Sequence, residues 1–195
     1  QSIKASNGGS IDLSGLQTVT GGGTGGNGGG ALEFLTESGG IIELDGLRGV
    51  EGNGVGVALS LSSPSQIDLP SLASIRSTTV PVAEGQTISA PSLTTFVSST
   101  LELSGTGELI PGNLTDISRS QFHVLDGATF SLPRSATSYA SSERLGVNEQ
   151  RVLFLADGHG SRLDLSAIEN IEAISSGLGD IRQSLKASNG GSIDL

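Results

Sequence analysis

Five acidic residues recur at one position of a repeated motif. Asp12, Glu43, Asp68, Asp164 and Asp194 each follow the first apolar residue of a short run, as in Ile11-Asp12-Leu13 and Leu163-Asp164-Leu165. On alternating strands such residues face outward, and on stacked strands they lie about 4.8 Å apart. Carboxylates that close repel unless water, a basic side chain or a cation screens them. Ca²⁺ suits such an oxygen-rich column, because it accepts carboxylates in loose geometry; a solvated acidic face is the plainer reading. The middle repeats carry Ser89, Ile110 and Ser131 at this position instead. Other chemistry-bearing residues are sparse. There are two histidines, His123 and His159, no cysteine and no GxSxG, so nucleophilic catalysis finds no support. His123 alternates with the apolar Phe122 and Val124 and is expected to point outward. The glycine-rich stretch from Gly21 to Gly30 lacks the Lys-Ser/Thr and the helix of a phosphate loop, and reads as a flexible corner.

The elements that position these residues come from repeats at two scales. Residues 1–13 read QSIKASNGGSIDL and residues 183–195 read QSLKASNGGSIDL, differing only at Ile3 and Leu185. The offset of 182 residues marks one unit, 1–182, and the start of the next, 183–195, within an expected tandem array. Inside the unit runs a motif of the form apolar-x-apolar-x-x-apolar-x-x-apolar, with copies starting at Ile11, Ile42, Ile67, Ile88 and Leu163 and a looser one at Leu109. Before each copy lies a second alternating run, such as Ile3-Lys4-Ala5, Leu32-Glu33-Phe34, Leu59-Ser60-Leu61, Leu101-Glu102-Leu103 or Leu153-Phe154-Leu155. Turn residues join the two, as in Asn7-Gly8-Gly9 and Asp126-Gly127. Between Leu59 and Phe122 the first runs start every 21 residues. Seven coils of about this length, some with a corner insertion, therefore fill one unit.

Runs this short hide an apolar side only by stacking on their neighbours. The expectation is an all-β fold: a single-stranded, right-handed parallel β-helix (solenoid) with inward ladders of equivalent residues. One ladder would hold Ile11, Ile42, Ile67 and Ile88. Another would hold Leu16, Leu47, Leu72, Leu93, Leu114 and Ile168. Composition agrees with a thin core: 35% hydrophobic residues, 3% aromatic and 30 glycines. A net charge of −10 argues against nucleic acid and anionic membranes as partners. No run of 18 apolar residues and no signal peptide is present, as expected of a mature segment or excised fragment.

On these repeats the chain resembles the right-handed parallel β-helix repeats of large bacterial surface and adhesin-like proteins. The resemblance implies an extracellular or cell-surface location and a structural role as the shaft of a fibre, stalk or filament. Its partners would be copies of itself, end to end and laterally. An adhesin segment that binds carbohydrate or cells is the alternative; it would display aromatic residues on one face, and Tyr139 and Phe154 are the ones in position to do so. A polysaccharide-degrading enzyme is the third reading. Polygalacturonases share the fold and carry a GHG like Gly158-His159-Gly160, but their NTD, DD and RIK motifs are missing here. The GHG then reads as a coil corner with a two-residue insertion, no catalytic residue is assigned, and the protein is expected not to be an enzyme. Several of the few basic residues lie in two corner insertions, 140–151 and 172–183, where binding on a rigid scaffold tends to sit.

Overall fold

A computed structural model describes residues 2–22, 33–53, 65–144, 150–176 and 182–195. The described residues form β-strands and turns without helix, and every strand pairing is parallel. Repeats contribute up to three strands, one more than the motif's two alternating runs led us to expect; in the repeat of Thr100–Ser104 and Glu108–Pro111 the third place holds only a single bridge, Asp116 to Thr95. The fourth apolar slot of the nine-residue motif (Val19, Val50, Ile75 or Phe96) is the middle residue or second residue of a strand of its own, because a tight turn separates it from the first two slots. In that turn the amide of the third apolar residue donates to the carbonyl three residues earlier: Leu16 to Leu13, Leu47 to Leu44, Leu72 to Leu69, Leu93 to Ala90 and Ile168 to Leu165.

The strands of one kind stack on one another and build three ladders. In the first, Ser2–Ser6 pairs with Glu33–Glu37, and Thr79–Val82, Thr100–Ser104, Gln121–Leu125, Gln150–Asp157 and Arg182–Ser188 follow in chain order. The second runs through Ser10–Asp12 and Ile41–Glu43, then Ser65–Asp68, Gln86–Ala90 and Glu108–Pro111, then Thr129–Ser131, Arg162–Asp164 and Ser192–Asp194. The third joins Thr18–Gly22, Gly49–Asn53, Ser74–Arg76 and Thr95–Val97, and separately Ser138–Arg144 with Asn170–Ser176. Side chains that alternate inward from all three meet in one apolar core. Ile67 pairs with Ile88, and Leu47, Leu72, Leu93 and Leu114 are fully buried, while Leu16 and Ile168 are half-buried in outer repeats. In the 21-residue repeats this is ladder packing in register: Leu101 lies beside Val80 and Phe122, and Leu103 beside Val82 and Val124.

Two corners show why particular residues stand there. At the first, two consecutive residues take the left-handed conformation: Asn7 and Gly8 at φ 55° and 74°, Asp126 and Gly127 at 54° and 87°, Asn189 and Gly190 at 50° and 86°. Asn and Asp tolerate this region and Gly enters it freely. The glycine that ends the corner has a second reason. A Cβ on Gly40, Gly107 or Gly191 would run into the carbonyl of Ala5, Val82 or Ala156 in the preceding repeat.

Three expectations need correction. Ile3 pairs with Phe34, not Leu32, so the register there lies two residues further on; alternation has period two, and a shift of two keeps the same face inward. Leu32 itself, with Leu59-Ser60-Leu61 and Thr24 to Gly30, lies outside the described residues. Second, Phe122 pairs with Phe154 and Val124 with Ala156, so Phe154 and Ala156 are the inward residues of that strand. The register shifts between Val152 and Phe154, a bulge that leaves Leu153 as the extra, buried residue. Third, Tyr139 and Phe154 are both buried. Tyr139 packs edge-on against Phe154 with centroids 4.9 Å apart, and Phe154 stacks on Phe122 at 6.0 Å. Phe96 and Phe130 complete this group around Phe122, so most of the chain's five Phe and one Tyr pack together in one part of the core.

Candidate functional site

The acidic column is divided. Asp12 lies beside Glu43 and Asp164 beside Asp194, each pair in register on adjacent parallel strands. Asp68 lies beside Ser89, not beside Glu43, because the described strands Ile41–Glu43 and Ser65–Asp68 belong to different sheets. A depression of about 210 Å³ separates them, lined by Glu43, Asp45, Gln66 and Asp68 among others. The column of stacked carboxylates expected from the repeat is therefore interrupted at its Glu43–Asp68 step.

Four of these carboxylates, Asp12, Asp68, Asp164 and Asp194, already have partners, and the partners follow from local sequence. Asp12 Oδ1 accepts the Ser14 amide at 2.9 Å, and Asp164 Oδ1 accepts the Ser166 amide at 2.9 Å. These are Asx turns: a carboxylate at the end of a strand caps the amide two residues on, at the entry to the tight turn. Hydrogen bonding by Ser14 and Ser166, side chain first and backbone second, holds both carboxyls below the ordinary aspartate range. Asp68 cannot do the same, because the residue two positions on is Pro70, which has no N–H; it accepts Gln66 Nε2 at 2.9 Å instead. Where Asp164 and Asp194 stack, Arg162 supplies the countercharge, with Nε 2.6 Å from Asp194 Oδ2. The basic side chain is thus the screen used at that step. No three His, Asp or Glu groups among the described residues converge into a set able to hold a metal ion.

The GHG segment forms the first corner of its repeat. Gly158 and Gly160 are left-handed at φ 102° and 84°, and His159 is exposed, with Gly190 of the following repeat close by. Leu125 pairs with Asp157 and Thr129 with Arg162, so this corner holds one extra residue rather than two; the bulge at Leu153 absorbs the other. His123 is half-buried on the outer side of its strand, and its Nε2 lies 3.1 Å from the Val152 carbonyl in the bulged strand. The corner insertions are strand rather than loop where described. Ser138–Arg144 pairs with Asn170–Ser176 along its whole length, and Gln150, Arg151 and Val152 pair with Arg182, Gln183 and Ser184. Residues 145–149 and 177–181 lie outside the described residues.

One functional element escaped the apolar pattern. Thr78, Ser99, Ser120 and Ser141 are buried and spaced 21 residues apart; the first three stand at the corner just before the next repeat's first strand, and Ser141 lies within Ser138–Arg144. The Thr78 amide donates to Ser99 Oγ at 3.2 Å, and the Ser99 amide donates to Ser120 Oγ at 3.2 Å. The hydroxyls donate in turn: Ser99 Oγ to the Val97 carbonyl at 2.9 Å and Ser120 Oγ to the Phe96 carbonyl at 2.7 Å. Tyr139 Oη donates to the Ser120 carbonyl at 2.9 Å, and Gln183 Nε2 to Ser141 Oγ at 3.2 Å. The corner needs them because Ser77, Ser98 and Arg119 just before are left-handed, at φ 51°, 52° and 58°, which turns backbone polar groups toward the interior. Strict 21-residue spacing of Ser and Thr was the available signal.

Asp157 is the other polar hub, accepting Ser188 Oγ at 2.7 Å and Asn189 Nδ2 at 2.8 Å; these two hydrogen bonds lower its pKa. Both donors belong to the segment that repeats residues 1–13. The two copies fold alike: strand, left-handed Asn-Gly corner and strand in each, at Ser2–Ser6 with Ser10–Asp12 and at Arg182–Ser188 with Ser192–Asp194. No protein-family model, curated protein or solved structure matches the chain.

Proposed function

We propose that the chain is a section of a right-handed parallel β-solenoid and acts as a structural rod, the shaft of an extracellular fibre, stalk or surface filament. The observation that carries this reading is the pair of near-identical segments 1–13 and 183–195, which adopt the same strand–corner–strand conformation. The second of them is stacked in register on the preceding repeat: Leu185 beside Phe154, Ile193 beside Leu163. A near-identical copy of the unit's opening that continues the ladders is what an extendable stack requires. Side chains support the same reading. Asp12 and Asp164 cap turns, Asp68 and Asp194 accept neighbouring side chains, the buried hydroxyls serve the backbone, and the aromatic residues fill the core, so these polar groups act on the protein's own chain. The partners proposed are further units of the same sequence, with the exposed acidic surface keeping the rods soluble.

The test is the axial repeat of a polypeptide carrying several 182-residue units. Seven repeats at about 4.8 Å give a rise of roughly 34 Å per unit. Negative-stain images of straight, thin rods that lengthen by this amount per added unit are expected. Beads joined by linkers would refute the reading.

A further inference from the structure

Two neighbouring repeats in the middle of the chain are joined at one corner and parted at another. Gly49–Asn53 pairs with Ser74–Arg76, Val50 beside Ile75. Ile41–Glu43 and Ser65–Asp68, second-ladder strands of the same two repeats, belong to different sheets, and the depression of about 210 Å³ lies between them. The Ile41 amide donates to the Gly9 carbonyl and the Glu43 carbonyl accepts the Leu13 amide, so both face the preceding repeat. Alternation turns the backbone N–H and C=O of Ile42 toward the cleft. Leu69 donates to the Ser89 carbonyl on the far side, so those of Gln66 and Asp68 face the cleft as well. Glu43, Asp45 and Asp68 are exposed along it, and Ile41 beside them is 55% exposed. Among the described residues no ion pair reaches these three carboxylates. Another repeat shows what fits such a step. Arg162–Asp164 and Ile41–Glu43 are equivalent strands, so Ile41 stands where Arg162 does. Arg162 reaches diagonally to Asp194 of the next repeat, Nε to Oδ2 at 2.6 Å. The same reach from Ile41 leads to Asp68, where the chain supplies no guanidinium.

We propose that this cleft is a docking site for an extended, arginine-bearing segment of a partner protein, whose guanidinium takes the place between Glu43 and Asp68 that Arg162 fills at the Asp164–Asp194 step. The planar fork of arginine matches carboxylates better than a lysine ammonium does. Its apolar stem lies along Ile41. The backbone of the segment meets the groups that Ile42, Gln66 and Asp68 turn into the cleft, as an added strand meets a sheet edge. A second copy of this chain, with a net charge of −10, is the wrong sign for the slot. The site goes beyond the rod reading: it adds a side-on attachment point for a partner of opposite charge, whatever the number of units in the stack.

The probe is a short dye-labelled peptide with an arginine between two valines, titrated with the full chain and read by fluorescence anisotropy. The same peptide with neutral citrulline in place of arginine is expected not to bind. E43Q/D68N is expected to weaken binding about fivefold or more, the worth of exposed ion pairs. E102Q/E108Q removes the same charge from exposed positions elsewhere and is expected to change binding by less than about twofold, the diffuse part of the attraction. I41R is the decisive variant. It places an arginine where Arg162 stands in its own repeat, so the chain fills its own slot and peptide binding is lost. All these positions are exposed, and unchanged β-type circular dichroism checks that each variant is folded. No binding, equal binding of the arginine and citrulline peptides, equal weakening by the two double variants, or full binding to I41R overturns the proposal. Displacement of the peptide by Ca²⁺ beyond the effect of matched ionic strength would make the cleft a metal slot, and self-association abolished by E43Q/D68N would make it a contact between copies; either result overturns the choice of partner.

Discussion

Replacing Ser120 by Ala isolates the buried hydroxyl ladder from the apolar core. The side chain loses one atom, so the packing change is slight, but two buried groups lose a partner: the Ser99 amide, 3.2 Å from Oγ, and the Phe96 carbonyl, 2.7 Å from it. An unsatisfied buried amide or carbonyl costs about 1–3 kcal/mol, and the carbonyl less where its second lone pair is used. The expected loss is therefore roughly 2–3 kcal/mol. Ser92→Ala is the control. Its hydroxyl also bonds a carbonyl one repeat away, that of Pro70, but at an exposed corner where water can replace it. Its expected cost is within about 0.5 kcal/mol. Urea unfolding followed by the intrinsic emission of Tyr139, the single tyrosine in a chain without tryptophan, reads the ladder directly, because Tyr139 Oη is bonded to the Ser120 carbonyl. With a slope near 2 kcal/mol per molar urea, the midpoint for S120A should fall by about 1–1.5 M and that for S92A by about 0.25 M or less. Equal shifts in the two variants would refute the reasoning that burial, not the hydrogen bond alone, sets the cost.

Leu72→Asp should cost several kcal/mol, because it buries an unpaired charge in the leucine ladder, whereas Ser71→Asp on the half-buried turn beside it should be mild; thermal melts that shift equally would contradict the register. Tyr139→Phe should cost about 1 kcal/mol, the worth of one hydrogen bond, with the ring contacts to Phe154 retained, as measured by calorimetry. Asp157→Asn should matter only where the carboxylate is ionised. The folded-state pKa is depressed, so the stabilisation is present above the unfolded value near 3.9 and is lost as pH falls through the lower folded value; melts of the two proteins should differ at pH 7 and converge toward pH 2. Chelator should leave the melting temperature unchanged, because turn amides and Arg162 already serve Asp12, Asp164 and Asp194; a fall reversed by Ca²⁺ would restore the column as a metal site.

The parallel strands and their spacing were legible in the sequence wherever one face alternates cleanly. Val80, Leu101 and Phe122 name their own register because nothing is inserted between them. The third strand was not, since its inward face shows a single apolar residue, Val19 or Ile75, too little for alternation to declare itself. Leu153-Phe154-Leu155 misled for the opposite reason: three apolar residues in a row fit either phase, and the bulge at Leu153 chose the one that lets Phe154 stack on Phe122. The acidic column was visible as spacing, but its local uses were not. Those depend on whether the residue two positions on has an amide to offer, Ser14 and Ser166 having one and Pro70 none.

Parallel pairing throughout has a mechanical consequence. The backbone hydrogen bonds of the three ladders join each repeat to its neighbours, so they point along the direction of stacking, and a pull applied at the two ends loads the repeats in series. The strands of one repeat are then peeled rather than sheared, and the weakest interface yields first without requiring the others to open, as nearest-neighbour stability implies. Each released 21-residue repeat, such as the one that separates Thr78 from Ser99, would pay out about 70 Å of extended chain. Under the proposed rod reading, such a stack would give way under tension in small steps, one repeat at a time.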